Sequence, residues 1–348
     1  MMKSDIAGTG SITARPSRSS RGSLLDFVGN TPLLRLNRMF SGFRHQVSAK
    51  LEFLNPTGSV KDRMALYIVE EAERSGQIKP GDLLVDNSSG NTAVSVGMVA
   101  ACKGYRSLFA VPDKTSQEKI DLIRSMGSEV VICPTDVPHN DPRSYYQMAR
   151  RLAKERGGFL IDQYHNPKNI ESHFKTTGPE IWDQTGGDFD VFVAGIGTGG
   201  TLSGVARYLK SRNPGIRVVA VDPVGSIFYD QIVSNHLTEP GRYYVEGLGS
   251  DVPCGALDIS VIDEIVQIDD QESFDLARRL IRTEGLIAGG SSGSVLAGVL
   301  KWGLEQKEPL RIVTILPDSG MRYVSKFLNN DWMLGKGFSI EEENPQVR

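Results

Sequence analysis

Cysteine is scarce in this chain. There are three in 348 residues, at positions 102, 133 and 254, and no two form a CxxC pair. That spacing excludes a zinc ribbon or a dithiol redox site and leaves the three thiols as buried packing residues. The five histidines, at 45, 139, 165, 173 and 236, show no metal-ligand spacing, so each reads as structural or surface. No uninterrupted apolar run approaches the roughly 20 residues needed to span a bilayer. Neither sign of charge dominates: 39 basic and 42 acidic side chains leave a net charge of −3, with no footprint for nucleic acid or an anionic membrane. No internal repeat is visible. The first 24 residues are rich in Ser, Arg, Gly and Thr without an apolar core, which predicts a flexible tail. Lys3, Arg15, Arg18 and Arg21 against the single Asp5 make a transit peptide the weaker alternative. The composition is that of a soluble, cytoplasmic protein.

What the chain does have is alternation. Apolar, β-rich segments recur at Gln46–Leu51, Leu83–Val85, Ser107–Val111, Val130–Cys133, Val191–Ala194, Arg217–Val221 and Arg311–Leu316. Helix-spaced stretches lie between most of them, among them Ala65–Ser75, Val94–Lys103, Gln117–Met126 and Tyr145–Arg156. This pattern predicts an α/β fold of parallel sheets flanked by helices, in a chain long enough for two domains.

Four short segments carry chemistry. In Asn55–Arg63, a Pro/Gly/Ser turn sets Lys61 at the front of an apolar helical run. A lysine shielded there is biased towards the neutral amine, the form that attacks an aldehyde; alone, it would read as a solvated lysine at a helix start. Gly195–Gly204 follows the apolar Val191–Ala194 and leads into a helical stretch. Strand, glycine turn and helix start together make an anion site. The segment lacks the lysine of a GxxxxGK[ST] loop and departs from GxGxxG order, so a compact monophosphate suits it better than NAD or ATP. Asn87–Thr92 offers Ser, Asn and Thr donors at another helix start, suited to a carboxylate or to plain N-capping. Gly289–Ser294 supplies a neutral hydroxyl for a heteroaromatic nitrogen, or another cap.

In this order the segments resemble the cysteine synthase and cystathionine β-synthase family of pyridoxal-phosphate enzymes, over about Ser23 to Phe338. Gly29–Leu33 is similar to that family's GNTPL element. The resemblance implies that Lys61 holds the cofactor covalently and acts as the catalytic base. It implies that Ser88, Ser89, Gly90, Asn91, Thr92 and Gln163 grip the substrate carboxylate, with Asn91 also reaching the cofactor's 3′ oxygen. Gly197, Thr198, Gly199, Gly200 and Thr201 correspond to the phosphate cradle, and Ser291 to the partner of the pyridine nitrogen. The implied architecture is fold type II: two parallel-sheet α/β domains with the cofactor in the cleft between them. The smaller, mobile domain is expected at 48–165, the larger at 25–47 plus 166–338, and tails at 1–24 and 339–348. A homodimer acting on small amino acids is expected.

Within the family, Glu246–Gly249, Ala288–Ser291, Leu316–Ser319 and Lys326–Met333 are most similar to the cystathionine β-synthase core. The resemblance implies β-replacement on L-serine or an O-activated L-serine through an aminoacrylate, giving cystathionine or cysteine. A 2,3-diaminopropionate-type synthase using O-phosphoserine and an amine, and a serine/threonine deaminase, are the alternatives. The chain departs from the family at Ala93, where glycine is usual, and at Ser250, where an aromatic is familiar. Ala93 either narrows the cleft or packs beneath the loop. A phosphate leaving group would call for a cation, with Arg322 and Arg242 as candidates. With no Cys before 102 and no His before 45, and no tandem regulatory domains after the core, control by haem or S-adenosylmethionine is not expected.

Overall fold

The computed structural model describes residues 22–340. Its strands are β1 (Leu33–Arg35), β2 (Gln46–Leu51), β3 (Leu83–Asp86), β4 (Arg106–Pro112), β5 (Glu129–Cys133), β6 (Phe159–Leu160), β7 (Val191–Gly195), β8 (Arg217–Pro223), β9 (Glu264–Ile268) and β10 (Arg311–Leu316). The helices are α1 (Lys61–Arg74), α2 (Asn91–Lys103), α3 (Gln117–Ser125), α4 (Tyr145–Glu155), α5 (Pro167–Lys175), α6 (Thr177–Thr185), α7 (Gly200–Arg212), α8 (Phe228–Ser234), α9 (Asp270–Glu284), α10 (Gly290–Leu304) and α11 (Asn330–Gly335).

The strands form two sheets. One has six strands in the order β1-β2-β10-β7-β8-β9, the other four in the order β5-β4-β3-β6. All pairings are parallel except that of β1 with β2. The interior strands read as unbroken apolar runs because helices cover both faces. Phe192 and Ala194 of β7 face the α7 side with Leu202 and Val205, while Val191 and Val193 face the α10 side with Val295 and Val299. In the smaller sheet, β4 sends Phe109 and Val111 towards α1 and α2, and Leu108 and Ala110 towards α4. Alternation along a strand thus fills two cores at once.

Four expectations change. Cys102, expected to be buried, is exposed near the end of α2, so only Cys133 and Cys254 pack in the interior. Residue 48, anticipated as the start of the smaller domain, lies inside β2, which is bonded along its length to β10 of the six-stranded sheet. The expected N-terminal tail falls largely outside the described residues, but Leu24 already begins a 3₁₀ turn, Leu24–Phe27, capped by Ser23. At the other end, Ser339 exchanges hydrogen bonds with Gln271 and Ile340 packs on the cluster around Phe274 and Trp332. Both ends are therefore held by capping and apolar contact closer to the termini than composition suggested; residues 341–348 lie outside the described part. Among the described residues, no helix is long and apolar enough to cross a membrane.

Candidate active site

The two sheets point their carboxyl ends at a common cleft of about 360 Å³. Lys61 opens α1 on its wall, held from behind by backbone. The Val60 N–H donates to the Pro317 carbonyl at 2.8 Å, and Ser59 bridges to Asp318. Asp62 secures the preceding turn by accepting the Thr57 N–H at 2.8 Å and the Ser95 hydroxyl at 2.5 Å. Lys61 is half-buried, and its amine makes no hydrogen bond among the described residues. Burial pushes its pKa down, against the pull of the nearby Asp318 carboxylate. Asp318 is itself pushed up by burial, an effect opposed by the bonds it accepts from Tyr323 at 2.6 Å and Asn91 at 2.8 Å. Each of these neighbours is biased towards its neutral form.

Ser88, Ser89, Gly90, Asn91, Thr92 and Gln163 line the same cleft. Gly90 is the N-cap of α2, so the first free N–H groups of that helix lie in the segment. The Thr92 hydroxyl donates to Gln163 Oε1 at 2.7 Å, and Gln163 Nε2 lies 3.4 Å from Asp86 Oδ2. With its oxygen committed, Gln163 is left with amide protons for the cleft. The Asn91 amide nitrogen donates to Asp318.

Asp86 sits behind this loop, fully buried, with Oδ1 unpartnered. Burial raises its pKa from 3.8 to about 7. A raised carboxyl adds stability below its unfolded value and loses that contribution as pH climbs through the folded one. Between about pH 5 and about pH 8, thermal melts should therefore shift in favour of D86N over wild type; a constant gap between the two proteins would contradict this.

Beside the main cleft, a pocket of about 30 Å³ is lined by Lys61, Gly195, Gly197, Thr198, Gly199, Thr201 and Gly247. It lies at the N-terminus of α7, where a helix dipole and free N–H groups favour an anion. Gly199 adopts φ +90°, and a Cβ there would lie 2.6 Å from Leu257 Cα. Gly200 lines neither cavity; a Cβ on it would sit 2.1 Å from Asn169 Oδ1, so it serves the packing of α7 on α5. Ser291, in the first turn of α10, is buried on the cleft wall, and its hydroxyl has no partner among the described residues. An unpartnered lysine amine, a backbone-lined anion pocket and an unpartnered hydroxyl on a third helix match the aldehyde, phosphate and ring nitrogen of pyridoxal phosphate.

Sequence reasoning assigned no role to several residues on this wall. Glu246 accepts from Lys119 of α3 at 2.6 Å and from Lys326, so an ion pair joins elements of the two sheets at the cleft mouth. Arg322 also lines the cleft, donating to the Thr57 carbonyl, whereas Arg242 stacks on Tyr244 away from it. Ala93 is wholly buried in the core under α2, so its methyl packs beneath the loop. Ser250 turns its hydroxyl to the Val252 carbonyl at 2.7 Å and is not part of the cleft lining. His173 is buried between Thr177 and Thr201, and burial, then the charge of Arg63, lowers its pKa to about 3. Its ring is neutral. No cluster of three or more metal-ligating side chains occurs among the described residues.

Fold and site together define an α/β enzyme that holds a phosphorylated aldehyde cofactor between two sheets. A family profile described as pyridoxal-phosphate dependent enzyme matches residues 24–318. The chain belongs to that family. Among curated proteins it is 45% identical to cystathionine beta-synthase of Rattus norvegicus over 322 residues, which is 92% of this chain and 57% of that protein. It is 41% identical to cystathionine beta-synthase of Saccharomyces cerevisiae over 327 residues, or 90% of this chain and 64% of that one. The chain thus spans less than two thirds of the length of these relatives. Among solved structures, O-ureido-L-serine synthase superposes with a TM-score of 0.83 at 37% identity, covering 91% of this chain and all of the other.

Proposed function

We propose that this protein catalyses β-replacement on L-serine or an O-activated L-serine, forming cystathionine or cysteine. The observation that carries the reading is the Lys61 amine, desolvated and free of hydrogen bonds among the described residues, in a cleft that holds the Ser291 hydroxyl and adjoins the anion pocket. The relatives' names agree in kind, since cystathionine and O-ureido-L-serine are both alanines substituted at the β-carbon.

When bound, pyridoxal phosphate supplies an aldehyde for covalent attachment and a ring that accepts electrons from the substrate's α-carbon. Lys61 would hold the aldehyde and, once displaced by the substrate amine, take the α-proton at Nζ; its lowered pKa suits that task. The N–H groups at the start of α2, with Gln163, would bind and orient the substrate carboxylate. The backbone of Gly197, Thr198, Gly199 and Thr201, with the threonine hydroxyls, would hold the phosphate. Ser291 offers the ring nitrogen a hydroxyl, a weaker partner for a protonated ring than a carboxylate. That favours elimination and replacement over transamination. Replacement of phosphate on O-phosphoserine by an amine is the second reading, supported by Arg322, which lines the cleft along with Lys119 and Lys326.

The test is to give the cofactor-loaded protein L-serine, O-acetylserine and O-phosphoserine separately and record visible spectra. A new long-wavelength band with one of them, discharged by homocysteine or sulfide with the adduct seen by mass spectrometry, is expected. Release of pyruvate without an adduct in the presence of every nucleophile would overturn the reading in favour of a deaminase.

A further inference from the structure

The two threonines of the anion pocket are braced from below by one helix. Asn169 and His173 lie one turn apart on α5, and both are buried. Asn169 Nδ2 lies 2.8 Å from the Gln163 carbonyl and 3.0 Å from Thr198 Oγ1. A carbonyl only accepts, so the nitrogen must face it, and the same nitrogen donates into the Thr198 hydroxyl oxygen. His173 Nε2 lies 3.1 Å from Thr201 Oγ1, and Nδ1 lies 2.8 Å from Thr177 Oγ1. The close approach of α7 to α5 fixes this contact: a Cβ on Gly204 would lie 2.7 Å from His173 Cβ.

A neutral imidazole carries one N–H, and both hydroxyls beside it can give or receive. If Thr201 gave its proton to the ring, it would present only lone pairs to a phosphate dianion. If Nε2–H donates to Thr201, the hydroxyl proton is free for the anion, and Nδ1 accepts from Thr177. We propose that Asn169 and His173 are positioning residues that donate into Thr198 and Thr201, so that both hydroxyls turn their protons to the cofactor phosphate. The proposal rests on the phosphate-pocket reading above and adds the direction of every hydrogen bond in the support.

Cofactor-free protein would be titrated with pyridoxal phosphate and, separately, with pyridoxal, following visible absorbance. In H173Q the amide nitrogen stands near the position of Nε2, whereas in H173N it stands near that of Nδ1. H173N should weaken pyridoxal phosphate binding by roughly tenfold to a hundredfold, the range of a lost hydrogen bond to a charged group. H173Q should recover most of that, and pyridoxal should bind all three proteins alike. H173N/T201V should bind no worse than T201V alone. Equal losses in H173Q and H173N, the same loss with pyridoxal, or additive losses in the double variant would each overturn the proposal. N169D, which puts an acceptor against Thr198, gives an independent arm: affinity equal to wild type would also overturn it. Wild-type protein that binds pyridoxal as tightly as pyridoxal phosphate would instead refute the pocket reading itself.

Discussion

K61A is expected to lose turnover by at least roughly a thousandfold, since a positioned general base alone contributes about 10²–10⁴ and covalent attachment adds to it. In wild type, borohydride should fix the cofactor to the peptide bearing Lys61, and mass mapping should find it there. In K61A no peptide should carry it, and the visible absorbance should match that of free cofactor. The glycine and threonine wall of the phosphate pocket is retained in K61A, so the cofactor should still bind without a covalent link. A small amine added to K61A should restore part of the rate by standing in for Nζ. Trapping of the cofactor on another lysine would refute the assignment of Lys61, because the other residues gathered in the cleft would then serve a different centre.

Arg63 is expected to dominate stability as Lys61 is expected to dominate chemistry. It joins Glu52 at 2.7 Å and Glu180 at 2.7 Å with almost no exposure, and Lys50 reaches Glu180 at 2.6 Å. Burial disfavours the Glu52 charge, yet Arg63, with help from Thr31 and Lys50, holds its pKa at about 2. Removing one partner of such a network leaves a buried charge uncompensated, a loss of about 3–5 kcal/mol. R63M should therefore shift urea unfolding by about that amount at neutral pH. In wild type the contribution of Glu52 is complete above about 4.5 and disappears only as pH falls through about 2. In R63M the destabilisation should shrink on acidification, as Glu52 takes up a proton. R63M/E52Q should recover part of the loss. An R63M protein as stable as wild type would mean that the cluster contributes nothing net.

The legible parts of this protein are those written in consecutive residues. A glycine turn between an apolar strand and a helix announces itself, and Gly195–Thr201 was readable for that reason. Lys61 was readable from the turn before it and the helix after it, and the seven strands anticipated from apolar runs all occur. Contacts between distant segments left no such trace. Asn91 and Asp318 are 227 positions apart, and Glu246 meets Lys119 and Lys326 across 127 and 80. Asn169 and His173 show only the ordinary spacing of one helical turn, and nothing local says which face lies under the anion pocket. Strands β1, β6 and β9 escaped notice because their short or half-exposed sequences lack the unbroken apolar run of the buried ones.

The place of β10 has a consequence for the order in which the protein can be made. This strand is the last of the ten, yet it lies between β2 and β7, and the residues just after it back the turn that holds Lys61. On the ribosome, β2 and β7 emerge long before the strand that joins them, and all four strands of the smaller sheet emerge after β2 but ahead of β7. The nascent chain must therefore keep a gap in its larger sheet, with the flanking edges of β2 and β7 unpaired, until β10 itself has been synthesised. The lysine site closes in that same step, so a growing chain can acquire a finished smaller sheet first, while its cleft waits for β10 and the residues just after it.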